Sequence, residues 1–321
     1  MGSLAAQNAV WPKDRFFDAS DGAPLAFTVV GEEGERTPVV FMNGWTCPDA
    51  YWKRIVPAVV DAGHPVVLFD TRGHGQSGLP HGAGSRPLDI PIEDVSVNRV
   101  ATDIIEILDH AGLERAVLIG HSMGVQGIFE AYRVGGAARL AGIVPVAGTY
   151  ENPVPTFAEK EVLDRLFPIA DVLFSRLPFG FLRPVLAQSQ KMPEAFTMKV
   201  VGAILRTGPE VQFADIERHV RQISEVDFGI MWRMMSGMRN HSAVDVLPTI
   251  EVPVLILGGE RDHFTPPSVQ HRMHELIPGS ELVLYPNGGH LLPVEEAEAI
   301  ARDLVGFLAR RVDDARGKAR R

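Results

Sequence analysis

The 321-residue sequence has a single cysteine, Cys47, no long apolar run and no excess of positive charge. One cysteine cannot form an intramolecular disulfide or supply a cysteine-rich metal site. A continuous apolar run of about 18 residues, the signature of a membrane span, does not occur. The net charge is −9 at pH 7 and basic residues cluster only at 310–321, so the sequence lacks the basic surface typical of nucleic-acid-binding proteins.

The composition that remains is that of an ordinary globular protein, with 45% hydrophobic and 22% charged residues. The first residues lack the basic region and the continuous apolar core of a secretory signal peptide. We therefore expect a cytoplasmic protein that has no membrane segment and no nucleic-acid partner.

Short apolar runs rich in β-branched residues recur along the chain, each followed by turn-forming residues. They lie at 38–44, 65–75, 115–122, 141–148, 252–259 and 281–289. Such runs are typical of strands buried on both faces of a parallel sheet. Segments with helical spacing of apolar residues separate them, at about 48–61, 94–111, 123–134, 267–277 and 293–311. This alternation predicts an α/β fold with a doubly wound, mostly parallel sheet.

Residues 151–247 interrupt the alternation because their apolar pattern is helical throughout. We interpret them as a helical cap inserted between two parts of an α/β core, 1–150 and 248–311. The last residues, 312–321, are predicted to form a basic, disordered tail. Near the start of the chain, Asp21-Gly22 lies between two apolar runs and predicts an antiparallel hairpin that leads into the sheet.

The segment Gly120-His121-Ser122-Met123-Gly124 follows a predicted buried strand and precedes an amphipathic helix. A strand that reverses sharply into a helix holds the serine in a strained turn, and glycines two positions away let neighbouring backbone pass close by. The hydroxyl then projects above the sheet, next to a helix N-terminus. We predict that Ser122 is a nucleophile. Ser77 also follows a strand, but the prolines and glycines after it exclude a helix, so it is predicted to be a loop residue.

A serine hydroxyl needs a base, usually histidine, and a carboxylate that orients the base. His290 follows the last predicted strand, in a loop with two glycines and directly before the C-terminal helix. Asp262 follows the preceding strand, and a proline pair after it fixes the start of the next helix. Glu260 and His263 are alternatives in the same loop. We predict that His290 is the base and that Asp262 orients it.

The chain order Ser122, Asp262, His290, with a helical insert between nucleophile and acid, resembles the α/β-hydrolase superfamily, in particular its capped serine esterases and lipases. The segment DTRGHGQS at 70–77 is similar to the loop after the fourth strand in capped members. The resemblance covers nearly the whole chain. It implies acyl transfer from a carboxylic ester, with no cofactor and no metal. Serine at this turn argues against the epoxide-hydrolase and haloalkane-dehalogenase branches, which have aspartate there.

In that superfamily the loop after the third strand supplies an oxyanion donor and commonly begins with His-Gly. Here the loop is Asn43-Gly44-Trp45-Thr46. The resemblance implies that the backbone N–H groups of Trp45 and Met123 are the two oxyanion donors. Asn43 is interpreted as a brace for this loop. Trp45 is interpreted either as a wall of the acyl pocket or as core packing.

The predicted cap is rich in apolar residues and in methionine. A methionine-rich stripe can accept a flexible apolar ligand, and it can equally fill an irregular core. On the first interpretation the substrate is an apolar small-molecule ester or a lipid, and LPFGFLRPVLA at 177–187 is a candidate contact with a lipid surface. The candidate pocket residues are Asn43, His121, Met231 and Met235.

The same three catalytic side chains support other reactions: a lactonase or thioesterase, a carbon–carbon bond hydrolase, or a cofactor-free perhydrolase. A ligand-binding protein that keeps the fold without catalysis is an alternative from a different class. The residues leave the acyl group, the leaving group and the oligomeric state open.

Overall fold

An eight-stranded sheet forms the centre of the protein. The computed structural model describes residues 11–80, 89–153, 160–174 and 211–313, with residues 176, 194, 198 and 199. The candidate lipid contact at 177–187 therefore lies outside the described residues. The strands are β1 (Arg15–Asp18), β2 (Pro24–Val30), β3 (Val39–Met42), β4 (Val66–Phe69), β5 (Ala116–His121), β6 (Leu140–Val146), β7 (Leu255–Gly259) and β8 (Glu281–Tyr285).

The sheet has the spatial order β1-β2-β4-β3-β5-β6-β7-β8. Strand β2 is antiparallel to both β1 and β4, and every pair from β4 to β8 is parallel. The first two strands are the hairpin predicted around Asp21-Gly22, and Gly22 has the positive φ (83°) that its turn requires. The prediction of an α/β fold with a doubly wound, mostly parallel sheet is confirmed.

Helices connect the parallel strands and cover both faces of the sheet. In the described residues they are α1 (Val56–Asp61), α2 (Val97–His110), α3 (Met123–Arg139), α4 (Lys160–Phe174), α5 (Phe213–Glu225), α6 (Phe228–Arg239), α7 (Pro267–Leu276), α8 (Leu292–Glu295) and α9 (Ala297–Phe307). Short 3₁₀ turns lie at Asp49–Trp52, Ile92–Val95 and Leu247–Thr249. None of the helices in these ranges is long and apolar enough to cross a lipid bilayer.

Successive side chains of the central strands enter two different apolar layers. Val40 and Met42 pack with α2, α3 and α6 on one face, whereas Val39 and Phe41 pack with α1 and α9 on the other. Because alternate strand residues point to opposite faces, a strand covered by helices on both sides must be apolar at every position. This explains the unbroken apolar runs in the sequence.

Two predicted helices are divided in the structure. The segment 48–61 forms the 3₁₀ turn Asp49–Trp52 and then α1, because Pro57 has no N–H to donate and lies in the first turn of the new helix. The segment 293–311 divides at Glu296, whose backbone leaves the helical region between α8 and α9.

Helical structure continues for two residues into the segment that the sequence predicts to be a disordered tail. A π-helical turn extends from Leu308 to Asp313, with Val312 buried and Arg311 paired to Glu281 at 2.7 Å. Val312, predicted to belong to a disordered tail, is therefore part of the packed core, and Asp313 is half-buried and pairs with Arg36 at 3.3 Å. Residues 314–321 lie outside the described residues.

The loop after β4 is anchored by a buried guanidinium. Arg72 donates two hydrogen bonds to Asp103, at 2.7 and 2.6 Å, one to Asp21 at 2.8 Å and one to the Asp94 carbonyl at 2.6 Å. The Arg72 side chain has no exposed surface. These bonds connect the loop after β4 to three other elements. They are the turn between β1 and β2, the 3₁₀ turn before α2, and α2 itself.

Replacing Arg72 should destabilise the fold strongly. In Arg72→Met, Asp103 keeps its bond from Arg99 at 2.8 Å but loses its bidentate partner while still buried. Removing one member of a buried ion pair costs about 3–5 kcal/mol of unfolding free energy, and we expect the lower end of that range. Urea denaturation measures it. The control Arg302→Met removes an exposed pair with Asp303 and should change stability by less than about 1 kcal/mol. Equal effects of the two substitutions would contradict the anchoring role.

Candidate active site

Ser122 lies at the sharp turn between β5 and α3. Its φ of 54° and ψ of −116° place a non-glycine residue in a region that L-residues rarely adopt. The flanking glycines permit this turn, because a Cβ at Gly120 would lie 2.4 Å from the Gly124 carbonyl oxygen. A Cβ at Gly124 would lie 2.8 Å from the Met42 carbonyl oxygen, in the neighbouring strand. The strand-to-helix turn inferred from the sequence is therefore present, with glycine required at both positions.

The structure brings Ser122, His290 and Asp262 together. The Ser122 Oγ lies 3.0 Å from His290 Nε2, and His290 Nδ1 lies 3.0 Å from Asp262 Oδ2. In the neutral tautomer that fits this chain, Nδ1–H donates to the carboxylate and Nε2 accepts from the serine hydroxyl. The arrangement can draw a proton from the hydroxyl and stabilise the resulting imidazolium.

Asp262 is fixed by hydrogen bonds from its own loop. Its Oδ1 accepts from the Phe264 and Thr265 N–H groups at 2.7 and 2.9 Å, and Oδ2 accepts from Thr265 Oγ1 at 2.7 Å. Burial opposes ionisation, but attraction to His290 and these hydrogen bonds outweigh it, so the pKa of the Asp262 carboxyl lies below its ordinary value. The group is therefore an oriented carboxylate at neutral pH.

The two loops that carry Asp262 and His290 pass in close contact. A Cβ at Gly259, the last residue of β7, would lie 2.2 Å from the Gly288 carbonyl oxygen in the loop after β8. The Arg261 N–H also donates to that oxygen at 2.9 Å. Side chains at these glycine positions would force the loops apart and would separate the carboxylate from the imidazole.

His121, which precedes the serine, holds the other side of His290. Its Nε2 lies 2.8 Å from the His290 carbonyl oxygen, to which it donates. The His121 ring is buried, and burial together with the neighbouring His290 lowers its pKa from 6.5 to about 3. His121 is thus neutral, and it ties the strand before the nucleophile to the backbone of the base.

An apolar cavity of about 420 Å³ opens beside these residues. Its wall includes Ser122 and His290, the loop after β3, the first turns of α3, and apolar side chains of α5 and α6. The described lining residues are Trp45, Thr46, Cys47, His121, Ser122, Met123, Gln126, Thr149, Pro153, Ile216, His219, Val220, Ile223, Met235, Met238, Phe264, Thr265, His290 and Leu291. A carbonyl compound in this cavity can reach the serine hydroxyl.

Besides Ser122 and His290, four of the residues named from the sequence line this cavity: Trp45, Met123, His121 and Met235. The Met123 N–H lies in the first turn of α3, where a helix has no internal acceptor for it. The Trp45 side chain contacts both the cavity and the main core, so both interpretations of this residue apply.

The other two residues named as pocket residues are placed elsewhere, which corrects the prediction. Asn43 is buried behind the loop, where its Oδ1 accepts from Trp52 Nε1 at 2.8 Å. This contact is the brace suggested for Asn43 and leaves its side chain away from the cavity. Met231 is not among the described residues that line the cavity, and its backbone carbonyl accepts from the Trp45 indole N–H at 3.1 Å. Met238, one turn beyond Met235, lines the cavity instead.

His219 is a cavity residue that sequence reasoning missed. It lies on α5 between Ile216 and Val220 and contacts Thr46, with Nε2 3.3 Å from Oγ1, and the Tyr51 hydroxyl through Nδ1. The available signal was its place in the helix, because Ile216, His219, Val220 and Ile223 follow the helical spacing of a buried face. A histidine on the apolar face of a helix needs hydrogen-bond partners from the element that packs against that face.

Two other side chains with nucleophilic atoms, those of Ser77 and Cys47, have structural roles. Ser77 donates to the Asp70 carbonyl at 2.6 Å and accepts from the Ala26 N–H at 3.0 Å, which joins the loop after β4 to β2. Cys47 is buried, and burial raises the pKa of its thiol to about 12, so it stays protonated. Among the described residues no group of three or more His, Cys, Asp or Glu side chains could hold a metal ion.

Comparison with known proteins places the chain in one family. Among curated proteins it is 27% identical to a bifunctional esterase/perhydrolase of Acinetobacter calcoaceticus, over 84% of this chain and 91% of that protein. It is also 27% identical to epoxide hydrolase A of Mycobacterium tuberculosis, over 92% of this chain and 97% of that protein.

Among solved structures, an esterase from Exiguobacterium antarcticum superposes with a TM-score of 0.67 at 21% identity, covering 92% of this chain and 98% of that one. The sequence model of the alpha/beta hydrolase fold matches residues 37–297, which is most of the chain. The protein therefore belongs to the alpha/beta hydrolase fold family.

Proposed function

We propose that the protein is a serine hydrolase that cleaves uncharged carboxylic esters through an acyl-enzyme. The observation that carries the proposal is the hydrogen-bonded series Ser122, His290 and Asp262 at the wall of an apolar cavity. The esterase relatives agree with it.

In the first half of the reaction, Ser122 Oγ attacks the ester carbonyl while His290 Nε2 accepts its proton. The negative charge on the carbonyl oxygen is met by the N–H groups of Met123 and Trp45, and the helix N-terminus at Met123 adds a favourable dipole. His290 then gives the proton to the leaving alcohol. In the second half, a water molecule loses a proton to the same nitrogen and attacks the acyl-serine, which releases the acid and restores the hydroxyl.

A serine at this position separates the proposed reaction from that of the epoxide hydrolase relative. Attack by a serine oxygen on an epoxide carbon would form an ether, which water does not cleave under these conditions. Attack on an ester carbonyl forms an acyl-serine, which water hydrolyses. The chemistry available to Ser122 therefore favours acyl transfer.

The cavity wall supports an uncharged substrate. No Asp, Glu, Lys or Arg occurs among the described residues that line it. The two histidines other than His290 are also uncharged at neutral pH, because burial, with the nearby His290, lowers the pKa of His219 to about 4 and that of His121 to about 3. A carboxylate in the acyl group would lose its hydration without gaining a cation.

The inserted helices α5 and α6 complete the cavity, and we propose that residues 151–247 act as a cap. Their apolar side chains Ile216, Val220, Ile223, Met235 and Met238 face the catalytic residues across the cavity. Acyl chains of the substrate would bind between this surface and the loops of the core. The cap thereby selects apolar acyl groups. The polar groups that line the cavity are hydroxyl, amide and imidazole groups.

Substitution of the catalytic residues should abolish ester hydrolysis without unfolding the protein. We expect Ser122→Ala to lower kcat for p-nitrophenyl butyrate by about 10⁶-fold, and Asp262→Asn by about 10⁴-fold because the wrong imidazole tautomer is favoured. A fluorophosphonate probe should label the wild-type protein at Ser122 and leave Ser122→Ala unlabelled. The exposed Ser242 serves as a matched control, and Ser242→Ala should retain full activity.

Full activity in Ser122→Ala would reject the proposal, and so would tight ligand binding by a wild-type protein that neither turns over esters nor reacts with the probe. Lactones and acyl thioesters tested beside the oxygen esters separate the reactions that share this acyl-enzyme. Hydrogen peroxide can take the place of water in the second half, as in a perhydrolase, so peracid formation belongs in the same assay. It too should disappear in Ser122→Ala.

Substrate charge provides an independent test of the cavity. Mono-p-nitrophenyl succinate carries a terminal carboxylate, whereas its methyl ester has nearly the same shape and no charge. We expect kcat/KM for the charged ester to be lower by at least about 100-fold, since burying an unpaired charge costs several kcal/mol. Equal kcat/KM values for the two esters would contradict an uncharged cavity.

The buried histidines also predict a pH dependence of stability. Below pH 6.5 the unfolded chain protonates His121 and His219, whereas the folded protein protonates them only near pH 3 and pH 4. The unfolding free energy should therefore fall as the pH is lowered from about 6.5 towards 4, by up to about 1.4 kcal/mol per pH unit for each histidine. Urea denaturation of His219→Gln should show a shallower slope than wild type, and the exposed His271→Gln should not. Identical slopes for wild type and His219→Gln would contradict the prediction.

A further inference from the structure

The loop after β3, residues 43–47, forms several hydrogen bonds with the inserted helices. We call it the oxyanion loop because it carries the Trp45 N–H. Helix α5 contacts it twice, through His219 on Thr46 at 3.3 Å and through Gln222 Nε2, which donates to the Cys47 carbonyl at 3.1 Å. Helix α6 contacts it through the Met231 carbonyl, which accepts from the Trp45 indole. The insert thus touches three consecutive residues of the loop.

Thr46 has a backbone conformation that its own side chain disfavours. Its φ is 58°, in the left-handed region where a β-branched residue is rare. Such a conformation persists only where surrounding contacts impose it. Thr46 and both of its neighbours form hydrogen bonds with α5 or α6, in addition to contacts that Trp45 and Cys47 make with the core, so the insert contributes to keeping the loop in this shape.

The hydrogen-bond directions at His219 follow from its two partners. Burial keeps Tyr51 protonated and His219 neutral, so each has one hydrogen to place. The phenol is a stronger donor than the imidazole N–H, which favours the arrangement in which Tyr51 donates to His219 Nδ1 and the hydrogen of His219 is on Nε2. Nε2–H then donates to Thr46 Oγ1, and the hydroxyl hydrogen of Thr46 is left for another acceptor. Thr46 lines the same cavity as Trp45 and Ser122.

We propose that His219 is a positioning residue that presents the Thr46 hydroxyl as an additional hydrogen-bond donor to the reacting carbonyl group. Thr46 would contact the substrate, and His219, supported by Tyr51, would act only through Thr46. The inference rests on the proposed ester hydrolysis and adds to it a donor supplied by a side chain and controlled by the insert.

Three substitutions test the proposal. Thr46→Val keeps the shape and removes the hydroxyl, and His219→Leu removes the group that orients it. We expect kcat to fall by about 10²-fold in Thr46→Val and by at least about tenfold in His219→Leu, with little change in KM, because a donor used in the transition state acts on kcat. His219→Gln, whose amide N–H can still donate to Thr46, should recover most of the activity. His271→Gln is the matched histidine control.

A double-mutant cycle separates positioning from general damage. If His219 acts through Thr46, His219→Leu should lower kcat by no more than about twofold in the Thr46→Val background. Affinity for a trifluoromethyl ketone, which forms a tetrahedral oxyanion on the serine, should weaken in parallel with kcat/KM. Titration of active sites with a fluorophosphonate corrects each rate for protein that fails to fold.

The outcomes are distinct. Additive losses in the two variants, unchanged kcat in either single variant, or a change confined to KM would overturn the role of His219 and leave ester hydrolysis intact. An unlabelled wild-type Ser122 with no esterase activity would overturn the proposed function, and this inference with it.

Discussion

The left-handed backbone of Ser122 is the constraint on which the rest of the site depends. Holding a serine at φ 54° costs about 1–3 kcal/mol, and the cost is met because β5, α3 and the adjacent strands enclose the turn. Gly120 and Gly124 have no room for a Cβ, and Gly148 would place one 2.6 Å from the Ser122 carbonyl oxygen. The backbone around the serine is therefore tightly packed, and the hydroxyl faces His290 above the carboxyl edge of the sheet.

The parallel strands of the sheet bring the other catalytic side chains to the edge that the Ser122 hydroxyl faces. Parallel strands deliver their following loops to the same edge of the sheet, so residues distant in sequence meet there. In this protein two close contacts hold these loops together. The backbone of Gly259 packs against Gly288, and the His121 imidazole donates to the His290 carbonyl oxygen. The distances between serine, imidazole and carboxylate are thus set by loop packing that precedes any substrate.

Sequence patterns were sufficient for features determined by local backbone or by chain order. The unbroken apolar runs predicted the buried strands, and the glycine spacing around Ser122 predicted the sharp turn. Partners across an interface were harder to predict. Asn43 belongs to the loop after β3 and Met231 to the methionine-rich helix, yet the Asn43 side chain bonds Trp52 and the Met231 backbone carbonyl bonds the Trp45 indole. His219 was overlooked because its partners, Tyr51 and Thr46, lie on another element.

The inserted helices have two physical roles that cannot be separated. Their apolar side chains form one wall of the cavity, and their polar groups hold the oxyanion loop at Trp45, Thr46 and Cys47. A shift of α5 that widened the cavity for a larger acyl group would also move His219 and Gln222 relative to the loop. The shape of the cavity and the position of the loop are linked through the same helix, since Ile216, Val220 and Ile223 line the cavity while His219 and Gln222 bond the loop. Substitutions in α5 that alter the cavity and substitutions in residues 43–47 are therefore expected to have coupled effects, because His219 and Gln222 join this helix to that loop.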